Sequence, residues 1–531
     1  MKVELYDTTL RDGAQGERIT FSSEDQLLIA QLLDNLGIDY IEGGQPASNP
    51  KAVHFFKQVK QLNLKNARPV AFGGTCHPRR RVQEDESLRK LLDAGTRQIT
   101  IVGKSWDFHV HKVLGVSLNK NLSLIDETIR FLISHGREVF FDAEHFFDGC
   151  KENPNYALSV LKAAEKAGAA RIILCDTNGG SMLDEVSRAI DAAKKAVSVP
   201  LGIHVHNDSG LATANTLLAV QKGISQIQGT INGYGERCGN ADLCIIIPNL
   251  CLKMGIPVVA KTRLQTLREV SHYVSELANI TPRTNQPYVG YSAFAHKGGW
   301  HADAVGKDPR TCEHVPPESV GNHRRILVSE VAGKGSLASK ANSIGIKLKA
   351  KDALTQQVVQ RLKELEQAGY QFEGADASLE LLMHKTRGTR KNYFRHAGFR
   401  VIVEKREDNQ LTSEATIKVI VDGKGEQHTA AEGNGPVNAL DNALRKALEP
   451  FYGQVREMHL SDFKVRILDA KAGTQAKTRV LIESRDKEDT WNTVGVDENI
   501  IEASWQALVD SIEYKLMKDE RAKKKSRRKD K

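Results

Sequence analysis

The chain has no run of about 18 consecutive apolar residues, so it holds no candidate membrane-spanning helix. At its start, Met1-Lys2-Val3-Glu4-Leu5 runs straight into a strand-like pattern, without an apolar signal core or an Arg/Ser-rich presequence. Cysteine is sparse, with seven among 531 residues, at positions 76, 150, 175, 238, 244, 251 and 312. The count is odd and no close CxxC pair occurs. That argues against a zinc ribbon or a disulfide scaffold, and for a reducing cytoplasm. Unbalanced charge is confined to one place. Residues 518–531 carry nine Lys/Arg against three Asp/Glu, about +6 of the net +9. They contain no aromatic residue, so a nucleic-acid surface of interleaved bases and rings is not expected. The segment reads as a basic, disordered tail.

The composition, 40% hydrophobic and 27% charged, is that of a globular chain too long for one core. One unit recurs through the first half: an amphipathic helical stretch, a glycine, then a continuously apolar run. The glycines are Gly37, Gly95, Gly136, Gly168 and Gly223. Glycine at that place suits a helix C-terminus closed by a left-handed residue. Runs apolar at every position, not at alternate ones, belong to parallel strands covered on both faces. The runs predict eight strands, at 3–8, 38–43, 68–73, 98–103, 138–143, 171–176, 201–206 and 226–231. Eight alternating βα units over about 250 residues predict an α/β chain opening with a (β/α)8 TIM barrel. An open doubly wound sheet is disfavoured, because the first βα turn carries Arg11-Asp12-Gly13 and no GxGxxG.

The pattern changes beyond residue 280. Residues 281–345 are rich in Gly, Pro, His and Ser and read as irregular structure with short helices; 350–370 read as a helix and 383–396 as a linker. A small C-terminal α+β domain follows. Strands are predicted at 399–405, 414–421, 459–468 and 477–484, with helices at 437–449 and 499–517. The resulting division is 1–280, the barrel; 281–395, helical linker subdomains; 396–517, the α+β domain; and 518–531, the tail.

Barrel enzymes carry their chemistry at the C-terminal ends of the strands. Polar residues gather there: Asp7-Thr8-Thr9-Leu10-Arg11-Asp12, Glu42-Gly43-Gly44, Asp142-Ala143-Glu144-His145, Asp176-Thr177-Asn178, His204-Val205-His206-Asn207-Asp208 and Asn232 through Asn240. His204 and His206, two apart on a strand, project from one face, as two imidazoles reaching one metal must. Asp12 and Asn240 arrive at the same rim. Two imidazoles with oxygen donors suit Mn2+, Mg2+, Zn2+ or Co2+. Arg11 can polarise a carbonyl and stabilise a developing alkoxide, or form a plain ion pair. Thr177 can donate to a carboxylate, or satisfy the backbone at a strand end. Glu144 is an inward carboxylate able to relay protons. Beyond the barrel, His301 lies two residues from Asp303, a pairing that reads as a base with its orienter.

These three runs, Asp7–Gly13, His204–Asp208 and Asn232–Asn240, resemble the isopropylmalate, homocitrate and citramalate synthases in order and spacing. The segments Phe72–Thr75, Ile101–Asp107 and Asp142–Gly149 are most similar to the citramalate synthase branch. The resemblance implies an acyltransferase condensing acetyl-CoA with a 2-oxo acid, pyruvate for that branch, on a route to isoleucine. It implies that Asp12, His204, His206 and Asn240 bind or flank the metal. It further implies that Arg11 polarises the ketone, Thr177 holds the carboxylate, Glu144 assists proton transfer and His301 helps enolise acetyl-CoA. The C-terminal domain becomes an allosteric, end-product-binding domain, with isoleucine as effector, and the enzyme a homodimer. Cys312 departs from the pattern, since the family commonly has Tyr near that position. The rivals are 2-isopropylmalate synthase, homocitrate synthase, an acyl-CoA lyase on the same barrel and a metal-dependent hydrolase on a TIM barrel. The lyases usually stop near the barrel's end, and the hydrolases usually add further His or Asp ligands.

Overall fold

The computed structural model describes all residues except 1, 298, 328–336, 339, 342–345, 347, 350, 406, 408–409, 470–472, 474, 488 and 530–531. It divides into two compact units, residues 1–294 with 314–324, and residues 295–313 with 325–531.

The first unit is a closed parallel barrel. Its strands are β1 (Glu4–Asp7), β2 (Tyr40–Glu42), β3 (Arg68–Gly74), β4 (Gln98–Lys104), β5 (Glu138–Glu144), β6 (Arg171–Asp176), β7 (Leu201–Val205) and β8 (Gln226–Gly229). Pairing of β1 with β8, from Glu4 opposite Gln226 to Asp7 opposite Gly229, closes the ring. Helix starts and stops follow local chemistry. Ser22 and Asp25 form a capping box at the head of helix Ser23–Leu36, and Gly37 ends it at φ 99°. Gly168 closes helix Pro154–Ala167 in the same way, at φ 101°.

The apolar runs have two buried faces. Leu5, Ile41, Phe141, Ile172 and Ile203 pack outward under the helices. Their neighbours Tyr6, Tyr40, Phe140 and Ile173 fill the lumen, joined by Val70 and Cys175. Tyr40 and Phe140 meet edge to face at 5.3 Å. Each such side chain contributes roughly 1.5–3 kcal/mol of burial. Two residues further along the inward faces of β2 and β5, Tyr40 gives way to Glu42 and Phe140 to Asp142, and the lumen turns polar.

In the second unit, β9 (Ala295–His296) pairs with β10 (Arg325–Ile326). Helices Gly299–Lys307, Ala353–Gln367 and Asp376–Thr386 follow. The remainder is a βββα motif made twice. Strands β11 (Phe394–Lys405), β12 (Leu411–Val421) and β13 (Gly425–Gly433) carry helix Pro436–Leu448. Strands β14 (His459–Ile467), β15 (Thr478–Arg485) and β16 (Thr490–Asp497) carry helix Ile500–Lys529. Four strands of this unit exceed the sequence expectation: the short β9 and β10, and the longer β13 and β16. β13, Gly-Glu-Gln-His-Thr-Ala-Ala-Glu-Gly, is poor in strand formers and alternates between exposed and half-buried positions. β16 contains Gly495, where an added Cβ would lie 2.0 Å from the Ala503 carbonyl, so the glycine is what lets the last helix sit on the strand. The segment expected as a linker is helix to Thr386 and strand from Phe394.

The basic tail also requires correction. The final helix does not stop at 517 but runs to Lys529. Lys518 pairs with Asp486 at 2.7 Å and stands over the Trp491 ring. Glu520 accepts from the Tyr393 hydroxyl at 2.9 Å, and Arg521 pairs with the buried Glu380. Lys518, Glu520 and Arg521 therefore have partners elsewhere in the unit, which a local reading of charge could not supply; the side chains beyond 523 lie outside the described residues. Among the described residues, no helix is long and apolar enough to cross a membrane. A chain ending at Met517 is predicted to lose roughly 1–3 kcal/mol in urea denaturation, because Glu380 is left buried without its cation. Unchanged stability would return these residues to the status of a tail.

Candidate active site and metal centre

The polar rim begins with β1. After Asp7 the chain turns tightly: the amides of Arg11, Asp12 and Gly13 all reach the Thr8 carbonyl. Asp7 anchors the turn by accepting from the Thr9 amide and hydroxyl at 2.9 and 2.8 Å. Burial pushes the Asp7 carboxyl up to about 7. The turn sets Arg11 and Asp12 side by side over the lumen.

Arg11 is held on three sides. Its Nε donates to Glu42 Oε1 at 2.5 Å, its terminal nitrogen lies 3.3 Å from Asp12 Oδ2, and its guanidinium sits 3.9 Å above the Phe72 ring centre. Glu42 is fully buried and also accepts from the hydroxyls of Tyr6 (2.5 Å) and Thr8 (2.8 Å). Its carboxylate is thus satisfied by three donors on β1 and the turn that follows. Glu42 closes the β2 run and had no role in the sequence reading. Its place among the polar residues at the strand ends was its only signal.

Asp12, His204 and His206 converge. His204 Nε2 lies 3.3 Å from Asp12 Oδ2 and 3.3 Å from His206 Nε2, and His206 Nε2 lies 3.8 Å from Asp12 Oδ2. The three ligand atoms fall within 4.8 Å of one another, and all three residues are buried. Asn240 is brought in by the loop after β8, which returns to bridge to β7: Asn240 pairs with His206, and the Ala241 amide donates to the Val205 carbonyl. Its Nδ2 donates to the Tyr234 carbonyl at 3.1 Å. Asn240 Oδ1, Asp12 Oδ1 and His206 Nδ1 are buried without a hydrogen-bond partner.

These facts test the fit of a cation. Burial by itself would raise the Asp12 carboxyl, but the Arg11 cation and the His204 hydrogen bond hold it well below the usual range. Burial, with the neighbouring His204 adding to it, lowers the His206 imidazole to about 4. A neutral imidazole, an ionised carboxylate and unclaimed oxygen acceptors in one dry spot are a donor set short of positive charge. A divalent ion fits it, and the mixed N/O set does not choose among Mn2+, Mg2+, Zn2+ and Co2+.

Glu144 ends β5 and pairs with Lys104 at the end of β4; both are about one-fifth exposed. Thr177 follows β6, and its hydroxyl oxygen accepts from the His145 amide at 2.9 Å, leaving the hydroxyl proton to donate elsewhere. Arg237 ties the rim together, binding Asp208 through two nitrogens at 2.8 and 3.0 Å and the Thr177 carbonyl at 2.8 Å. His301 belongs to the second unit, exposed on helix Gly299–Lys307. The expected pairing with Asp303 is not made. Residues two apart on a helix point to different sides, and Asp303 instead pairs with Lys307 at 2.7 Å. In the same unit His296 Nε2 stands 3.2 Å from the buried Glu313, a partner 17 positions away that spacing could not reveal. Cys312 is exposed.

Glu42→Ala is predicted to cost about 3–5 kcal/mol in equilibrium unfolding, because it removes the nearer carboxylate of the Arg11 cation and leaves the buried Tyr6 and Thr8 hydroxyls without their acceptor. A loss below about 1 kcal/mol would show that Asp12 and Phe72 suffice to hold Arg11.

Comparison with known proteins places this geometry in a family. Residues 2–274 match the HMGL-like family, 288–369 the homocitrate synthase post-HMGL domain-like family and 373–516 the LeuA allosteric (dimerisation) domain. The (R)-citramalate synthase of Geobacter sulfurreducens is 55% identical over 98% of this chain and 98% of its own length. That of Aquifex aeolicus is 53% identical, again over 98% of both chains. A 2-isopropylmalate synthase of Methanocaldococcus jannaschii is 31% identical over 98% of this chain and 96% of its own. The chain belongs to the HMGL-like family and, within it, to the branch of the citramalate synthases.

Proposed function

We propose that the protein condenses acetyl-CoA with pyruvate and water to give (R)-citramalate and CoA, in isoleucine biosynthesis. The observation that carries this reading is the buried Asp12–His204–His206 cluster beside Arg11, in a chain more than half identical, end to end, to relatives bearing that name.

Asp12, His204 and His206, with Asn240 alongside, would hold a divalent cation, which when bound would supply Lewis acidity toward the ketone of the 2-oxo acid. The chain's own residues do the rest. Arg11, fixed by Glu42 and Phe72, presents its guanidinium to the oxygen that becomes an alkoxide, already oriented and needing no reorganisation. The free Thr177 hydroxyl proton binds the substrate carboxylate. Glu144, paired with Lys104 and partly open to solvent, moves the proton between the site and water. His301 serves as the base that enolises the acetyl methyl, contributed by the partner subunit as is common in the family. The enol carbon attacks the ketone, and water then cleaves the thioester, which releases CoA and makes the reaction effectively irreversible.

The LeuA-type domain supports a homodimer with an amino-acid effector, isoleucine by the pathway's logic. Seven free cysteines suit a cytoplasmic enzyme.

The test is release of free CoA from acetyl-CoA with Mn2+ or Mg2+, comparing pyruvate, 2-oxobutyrate, 2-oxoisovalerate and 2-oxoglutarate. Pyruvate is expected to give the highest kcat/KM, with release lost in His204→Ala. A higher value for 2-oxoisovalerate or 2-oxoglutarate would move the protein to leucine synthesis or homocitrate formation. Release with none of them would contradict the proposal.

A further inference from the structure

His204 and His206 look alike in the sequence but stand differently in the fold. A neutral imidazole carries one N–H and one lone pair, and what the N–H meets decides which nitrogen has the lone pair. In both residues Nε2 faces the cluster, so whenever a cation is held there Nε2 gives the lone pair and the proton belongs on Nδ1. For His206 that nitrogen is buried without a partner. For His204 it lies 3.1 Å from Gln228 Oε1.

The Gln228 amide is itself oriented. Its Nε2 donates to Asp142 Oδ1 at 3.4 Å. With the NH2 end turned to a carboxyl oxygen, the carbonyl end must face His204. Gln228, Asp142 and His204 are 0%, 3% and 5% exposed, so water does not compete for these contacts. The three residues sit on β8, β5 and β7, and the chain of contacts crosses the lumen. Burial, aided by the nearby Glu42 carboxylate, pushes Asp142 up to about 7. A carboxyl oxygen remains to accept from Gln228 in either protonation state. An amide at 228 also meets the imidazole without adding another charge to a lumen that already holds Glu42 and Asp12.

We infer that Gln228, held in place by Asp142, is a positioning residue. It fixes His204 as the Nδ1–H tautomer and so makes His204 the anchoring nitrogen of the cation site. Nothing in the sequence marks it, since Gln228 falls inside the run 226–231, which reads only as a strand. The inference rests on the metal reading above, and its test separates the two.

Mn2+ is titrated into the metal-free full-length protein without substrate and followed by loss of the free-ion EPR signal; thermal melts of the metal-free protein are recorded alongside. Gln228→Met, which keeps size but removes the acceptor, is expected to weaken Mn2+ binding about ten- to hundredfold, while Gln228→Glu, which keeps an acceptor, stays within about threefold of the parent. The metal-free melting temperatures should not follow that order, as they would if the role were only structural. Should Gln228→Met fail to fold, Asp142→Asn carries the test: its amide can present either end to Gln228, and binding should weaken measurably. Parent-like affinity in Gln228→Met or Asp142→Asn, or a Gln228→Glu as weak as Gln228→Met, overturns the inference while leaving the metal reading intact. A parent that binds no Mn2+ overturns both.

Discussion

Three electron-pair donors, from β7, the residue that follows it and the turn after β1, are held within 4.8 Å of one another in a space that excludes water. Left to themselves they would separate or take up protons. Burial keeps His206 neutral, and the Arg11 cation keeps Asp12 ionised. The rest of the rim follows from holding that arrangement. Glu42 restrains Arg11, Tyr6 and Thr8 satisfy Glu42, and Gln228 meets the outer nitrogen of His204. A polar network of this kind is stable in a low-dielectric lumen only when nearly every member is paired. Among the buried side-chain atoms without a partner, Asp12 Oδ1, Asn240 Oδ1 and His206 Nδ1 belong to the residues of the proposed cation site; both amide atoms of Gln226 on β8 are unpaired as well.

The barrel makes this affordable by layering. Tyr6, Tyr40, Phe140 and Ile173 plug the lumen with apolar volume, and the charged layer lies toward the C-terminal ends of the same strands. Because side chains alternate along a strand, one register decides both which ring packs inward and which carboxylate faces the site. Tyr40 and Glu42 on β2, or Phe140 and Asp142 on β5, cannot be repositioned separately. Fold and site are therefore one constraint on these strands.

The barrel was legible because parallel strands covered on both faces leave unbroken apolar runs, and because helix ends at Gly37 and Gly168 need a left-handed residue. The His204/His206 pairing was legible because strand periodicity alone puts two such residues on one face. Glu42, Asp142 and Gln228 were not, because their partners lie on other strands and depend on barrel closure and register. The same limit hid the last turns of the final helix, whose Lys518, Glu520 and Arg521 have partners as far as 141 positions away. His301 and Asp303 mark the opposite error: closeness in sequence was read as contact, and the helix turned the two side chains apart. In the C-terminal unit, β13 escaped because half-exposed Glu, Gln and Ala residues carry little strand signal.

The central claim is that the buried convergence of Asp12, His204 and His206 exists to hold a divalent cation. Anomalous diffraction at the manganese edge, from crystals of the full-length protein grown with Mn2+, addresses it directly. The account predicts a peak bounded by Asp12 Oδ2, His204 Nε2 and His206 Nε2. A fully loaded crystal with its anomalous peak elsewhere, or with these three side chains bonded only to one another, would contradict it.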